Sequence, residues 1–350
     1  MPLKLKKLLP YRNLWLGIAM AWIVLAHSGF KFSSPFFTYV KTLGYGGVDI
    51  CLFASGLGCY VSLEKDPDAL RFLKRRILRL APTYLPFIAL WCICHYLAHG
   101  PYPLPAVLGN FLGLQNLTGL GNSFNWYISA LLLYYLVSPL LKDLTDRLSY
   151  PKQLLVIAFL LLLSVPFWTA DTYIITLTRL PIYYCGMVFA RMCREERSLT
   201  PKGLTIALVL SALGFVLMRF CTGHFESILW SYGLHWYPFL LITPGLCIAL
   251  SLAGLLLEKV KFSKILTAPL ETMGKYSFEL YLIHVPLYEF LRPLLRELPY
   301  PRNLMWLATL PPLALGCITL KLTANLITRM LSSCRAACPQ AAVHPDRQAQ

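Results

Sequence analysis

Apolar runs close to 20 residues long recur from one end of this sequence to the other, and any fold of the chain must accommodate them. A hydrocarbon layer ~30 Å thick is crossed by about 20 residues of α-helix, and a backbone inside it must hydrogen-bond to itself. Ten such runs are found, at roughly residues 13–30, 43–63, 80–98, 125–141, 153–169, 178–192, 203–219, 235–257, 275–291 and 304–328. Soluble domains carry about 25% charged residues; here 14% are charged and 57% hydrophobic. The expected fold is all-α: a polytopic membrane protein of about ten transmembrane helices. Residues 1–330 form one membrane-embedded domain and 331–350 a disordered cytoplasmic tail.

A net charge of +16 over 350 residues raises the question of nucleic acid, but the placement of the charges argues for lipid. When the ten spans alternate, 25 of the 32 Lys and Arg fall on the side of the N-terminus and 7 on the other. Cytoplasmic loops collect cations in this way, so both termini are expected inside the cell. The segment Met1–Arg12 is basic, but the apolar run after it lacks a small-residue cleavage site and reads as a first transmembrane helix. The cysteines, among them Cys51, Cys59, Cys185 and Cys247, sit mostly inside spans and form no CxxC pair. They read as small, soft core residues, and no metal site is expected. Residues 99–124 form the long outer loop; its apolar middle, Ala106 to Leu117, is too short to cross and is expected to be re-entrant or interfacial.

Ionisable groups inside spans are costly and usually functional. His27 lies about 5 Å below the outer end of the first span and Asp49 about 9 Å below the same surface on the second, from the helix rise. Their matching depth suggests an aspartate accepting the imidazole Nδ1 proton and leaving Nε2 as a base. The plainer alternative is a polar pair that locks two helices. Gly44, Gly46, Gly47, Gly56 and Gly58 bracket Asp49 and permit either close helix approach or room for a ligand.

At the inner end of the third span, Arg75, Arg76 and Arg79 share one helical face and suit the phosphates of coenzyme A. The inside charge bias alone accounts for Arg71 and Lys74. In span nine, Ser277, Tyr281, His284 and Tyr288 form one polar stripe, with Glu279 nearby, that lines either a tunnel or a helix contact. Trp126 and Tyr127 fit an interfacial anchor. Arg179 begins span six on the outer side, against the charge rule, and so needs a partner there.

These residues together resemble the acyltransferase-3 integral membrane acyltransferases over about residues 12–330. The resemblance rests on His27, on Gly47-Val48-Asp49 with Ser55-Gly56, and on Phe72 with Arg75, Arg76, Arg79, Pro82 and Tyr84. Trp126-Tyr127 with Pro139, Arg179 with Pro181 and Gly186, and Ser277 through His284 complete the order. Leu16 stands where the family often has an arginine, Arg12 lying one turn away, and Cys51-Leu52 replace two usual phenylalanines. The carboxylate that many polysaccharide-acetylating members carry just after the Trp matched by Trp126 is absent, since Ser129, Ala130 and Leu131 stand there.

The resemblance implies transfer of an acyl group, expected to be acetyl, from acetyl-CoA or another acyl-CoA to a hydroxyl of a cell-surface glycan or its precursor. His27 and Asp49 would be catalytic, with Arg12, Arg75, Arg76 and Arg79 on the coenzyme. Ser55, Trp126, Arg179, Glu279, Tyr281 and His284 would line the substrate path. The expected partners are acyl-CoA, a glycan acceptor and the lipid bilayer, with no metal and no nucleic acid, in the cytoplasmic membrane of a bacterium. The competing reading is a proton-coupled transporter or flippase of lipid-linked sugar whose His, Asp and Glu relay protons. Inverted repeats with broken helices would mark that alternative, and the sequence shows none.

Overall fold

Long apolar segments with internally bonded backbones become helices, and the chain is a bundle of them. The computed structural model describes residues 3–101, 103–118, 125–167, 171–224 and 237–337. The first half holds α1 (Arg12–His27), α2 (Pro35–Thr42), α3 (Gly47–Lys65), α4 (Ala69–His99), α5 (Leu104–Leu112), α6 (Gln115–Thr118), α7 (Trp126–Arg147) and α8 (Tyr150–Leu162). The second holds α9 (Asp171–Leu177), α10 (Leu180–Arg194), α11 (Pro201–His224), α12 (Pro238–Leu257), α13 (Lys264–Lys275), α14 (Ser277–Glu297), α15 (Arg302–Leu307) and α16 (Leu310–Ala337). The described strands are two residues each: β1 (Leu3–Lys4) pairs antiparallel with β2 (Ser198–Leu199), and Lys4 forms an ion pair with Glu196 beside them.

Nine helical segments among the described residues are long and apolar enough to cross a membrane. The expected tenth, α14, has 21 residues but carries Glu279, Glu289, Arg292 and Arg296. At 1.5 Å per residue it still spans about 32 Å, and Glu279, Tyr281, His284 and Tyr288 on it are buried. An interior helix can be polar because its neighbours, not lipid, surround it. Lipid faces the rim instead: Leu154, Leu155, Val216, Leu315 and Leu322 stand exposed on α8, α11 and α16. Helix α16 continues through residues 331–337, which the sequence reading places in the tail; residues 338–350 lie outside those described. In the long loop, α5 and α6 are short helices folded against α4 and α7, where Tyr84 donates to the Asn110 carbonyl and Ser129 to that of Gly113.

The centre is α1, α3 and α10, joined by Trp15, Phe53 and Phe189, whose rings lie 5.5–6.5 Å apart. Helices in lipid gain most from backbone contact across small residues. A Cβ on Gly56 would stand 1.9 Å from the Tyr183 carbonyl oxygen, and one on Gly186 would stand 2.0 Å from that of Phe53. The close-approach reading of Gly56 therefore holds. Gly56→Ala or Gly186→Ala should cost roughly 1–3 kcal/mol from overpacking, read as a lower unfolding temperature in detergent. An unchanged temperature for both would mean that α3 and α10 can separate freely.

Candidate active site

Arg12, at the start of α1, meets α4 at one end of the bundle. A cavity of about 270 Å³ opens there between Arg12, Arg76 and Arg79, and runs upward past Ser55 and Tyr281 to Ile23. From Arg12 to Ile23 is eleven residues of α1, a depth of about 16 Å. Arg76 is held in place, donating to the Gly58 carbonyl at 2.5 Å with its guanidinium over Phe72 and near Tyr135. Arg12 Nη2 donates to the Ala54 carbonyl at 3.4 Å.

Arg75 is a correction. It forms an ion pair with Asp66 and a bond to the Asp66 carbonyl, and it does not line the cavity. The hydrogen bond from Arg75 holds the Asp66 carboxyl below the usual carboxylate range. Residues 75 and 76 differ by one step of about 100° around a helix, so one faces the loop after α3 and the other faces inward.

Above the cavity lie His27 and His284, ring centroids 5.0 Å apart at 72°. His27 Nδ1 sits 2.9 Å from the Ile23 carbonyl oxygen. His284 Nδ1 sits 2.9 and 2.8 Å from those of Leu280 and Tyr281. A carbonyl only accepts, so Nδ1 carries the hydrogen in both rings, and in a neutral ring that leaves the lone pair on Nε2. The expectation that Asp49 sets the His27 tautomer is thus corrected: the helix's own backbone does so. A neutral His284 has no hydrogen on Nε2 to offer an oxyanion; that nitrogen is buried without a partner among the described residues.

Asp49 pairs instead with Arg179, at 3.4 Å, both side chains 2% exposed. The Arg179 guanidinium lies 4.8 Å from the Trp126 ring centroid. Arg179 and Trp126, expected on the substrate path, do not line the cavity; with Asp49 they tie α3, α7 and the start of α10 together. The partner that Arg179 required is Asp49.

Glu279 and Tyr281 do line the cavity. Glu279 accepts from Lys321 of α16 at 3.0 Å, and Lys321 and Lys275 add two cations at the arginine end. Neither lysine stands out in the sequence; the only signal was a buried carboxylate, Glu279, in want of a counter-ion. A second cavity, about 420 Å³, opens on the opposite face, with His27 in its wall. Among the described residues no group of three or more His, Cys, Asp or Glu is placed to hold a metal ion.

Apolar helices around a deep cationic cavity define a multi-pass membrane protein with a polar interior pocket. The family model described as an acyltransferase domain matches residues 13–323, and the chain belongs to this acyltransferase-3 family. It is therefore an enzyme that transfers acyl groups other than aminoacyl groups, and its reaction calls for an acyl donor and an acceptor. No curated protein and no solved structure matches the chain.

Proposed function

We propose that the protein is a membrane O-acetyltransferase of a bacterial cytoplasmic membrane, moving an acetyl group from cytosolic acetyl-CoA to a hydroxyl of a surface glycan. Both termini lie in the cytosol on this reading. One observation supports the proposal: one cavity has His27 in its wall, the other reaches Ile23 one helical turn below that ring, and only the latter is walled by Arg12, Arg76 and Arg79. Guanidinium forks match phosphate oxygens, and a channel about 16 Å deep suits an extended thioester arm.

The acceptor hydroxyl reaches His27 from the other side. As its oxygen attacks the thioester carbonyl, His27 Nε2 takes the hydroxyl proton. The tetrahedral intermediate collapses, the C–S bond breaks, and the coenzyme thiolate recovers that proton. Ser55 and Tyr281 line the thioester path, Glu279 with Lys321 closes its side, and His284 packs against the base. Asp49 with Arg179 braces the helix that faces them.

Membranes holding the protein, incubated with labelled acetyl-CoA, should pass label into polymer or lipid-linked glycan. Membranes that pass none into any fraction refute the reading. Arg76→Gln and Arg79→Gln should each raise the KM for acetyl-CoA about tenfold or more, the range of a lost charge-assisted hydrogen bond. Arg75→Gln should leave KM within about twofold, since its bond to Asp66 is exposed. A larger rise for Arg75→Gln than for Arg76→Gln would reverse the assignment of the inner cavity.

A further inference from the structure

The second cavity runs against the charge rule that most of the chain follows. Its wall holds His27, Ser28 and Gly29 from the end of α1, Arg292 and Arg296 from α14, and Arg302 with Trp306 from α15. Among the described residues no carboxylate lines it, and neither Arg292 nor Arg296 forms an ion pair. Seven Lys and Arg fall on this face by the alternation of spans, and Lys31, Lys41, Arg292, Arg296 and Arg302 are five of them. The other two have partners elsewhere: Arg179 pairs with Asp49, and Arg219 lies over the Tyr39 ring. Cations are depleted on an outer face, so the gathering of three of these five, Arg292, Arg296 and Arg302, in one cavity beside His27 calls for an anion.

The site is also built in advance. Asn303 clasps the backbone of Lys31, accepting from its amide and donating to its carbonyl, each at 2.8 Å. Arg302 Nε donates to the Gly29 carbonyl at 3.0 Å, and Lys41 donates to the carbonyls of Ser28 and Phe30 at 2.7 Å. A Cβ on Gly29 would stand 2.1 Å from the Trp306 indole nitrogen, so only glycine lets that ring form the wall. A volume of about 420 Å³ lies within the usual range of small-ligand sites, roughly 300–1,000 Å³.

We propose that this cavity binds a phosphoryl group, and that the acceptor is a hydroxyl compound bearing that phosphoryl close to the hydroxyl it presents to His27. Three guanidiniums with no opposing carboxylate suit the tetrahedrally arranged oxygens of a phosphoryl group better than the two coplanar oxygens of a carboxylate. The acceptor role rests on the acetyl-transfer reading; the anion site does not. The phosphoryl comes either from a membrane lipid headgroup or from a soluble phosphorylated glycan.

The test uses the full chain in phosphatidylcholine nanodiscs with the inner cavity saturated by CoA. Inorganic pyrophosphate is the soluble probe, and nanodiscs containing phosphatidylglycerol are the lipid arm. Arg292→Gln/Arg296→Gln should weaken pyrophosphate binding about 10- to 100-fold, two charge-assisted contacts being lost, with CoA affinity unchanged. If a lipid is the source, phosphatidylglycerol should compete with pyrophosphate in the natural protein and lose that competition in the variant. If the source is soluble, phosphatidylglycerol should leave pyrophosphate binding as it was. Either result supports the site. Pyrophosphate binding that is absent, or equal in both proteins, overturns it. Loss of binding in the variant without acetyl transfer to any acceptor would remove the function proposed above and leave the anion site standing; transfer with equal binding does the reverse.

Discussion

Replacing His27 by alanine should lower acetyl transfer by about 10²–10⁴-fold, the usual worth of a general base, while the protein stays folded. The ring touches the bundle lightly: it leans on His284 and bonds only to the carbonyl one turn below, which keeps its own helical partner when the ring is gone. The loss should therefore appear in kcat with little change in KM for acetyl-CoA, because the cavity proposed for the donor ends at Ile23. The measurement is initial rate at saturating donor, beside size-exclusion behaviour in detergent. A folded His27→Ala protein with normal turnover would refute the assignment of the base. His284→Ala should be milder in rate and harsher in stability, since that ring is buried.

Breaking the pair of Asp49 and Arg179 should be the most damaging change to the fold. Both groups are 2% exposed, and removing one leaves the other charged and unpaired in a medium without water. Such losses run to roughly 3–5 kcal/mol, a large share of the stability of most proteins. Asp49→Ala should accumulate poorly and unfold at a much lower temperature. The double variant Asp49→Leu/Arg179→Leu should recover much of it, since a buried ion pair is often no better than apolar side chains of similar volume. An Asp49→Ala protein as stable as the natural one, with an altered pH profile of turnover, would return Asp49 to the role of orienting His27.

The spans were legible because lipid imposes a length and a polarity that hydropathy reports directly. His27, Arg12, Arg76 and Arg79 stand out in the sequence because a charge in or beside a membrane span has few innocent explanations. What stayed hidden was direction around the helix. Residue counting from assumed helix ends set Asp49 level with His27, but Gly47 packs on Ala19 and Ile23, which seats Asp49 deeper; which neighbour each one faces also depends on packing, and Arg179 lies 130 residues further on. The same limit applied to Arg75 and Arg76, adjacent in sequence and turned to different environments. Lys321 was counted toward orientation and not toward the site, because nothing local ties it to Glu279, 42 positions away. Arg292, Arg296 and Arg302 were each visible as outer cations, but only the folded chain gathers them beside His27.

The seating of α1 limits how the enzyme can work. A Cβ on Gly17 would stand 1.8 Å from the Leu270 carbonyl oxygen of α13, and one on Gly47 of α3 would stand 2.5 Å from that of Ala19. A shaft wedged main chain to main chain on two flanks moves only if α3 and α13 move with it. On the proposed reaction only the few atoms of an acetyl unit pass the imidazoles, while nucleotide and sugar stay in their own compartments. Each turnover would then proceed without a leak of ions or metabolites through the barrier.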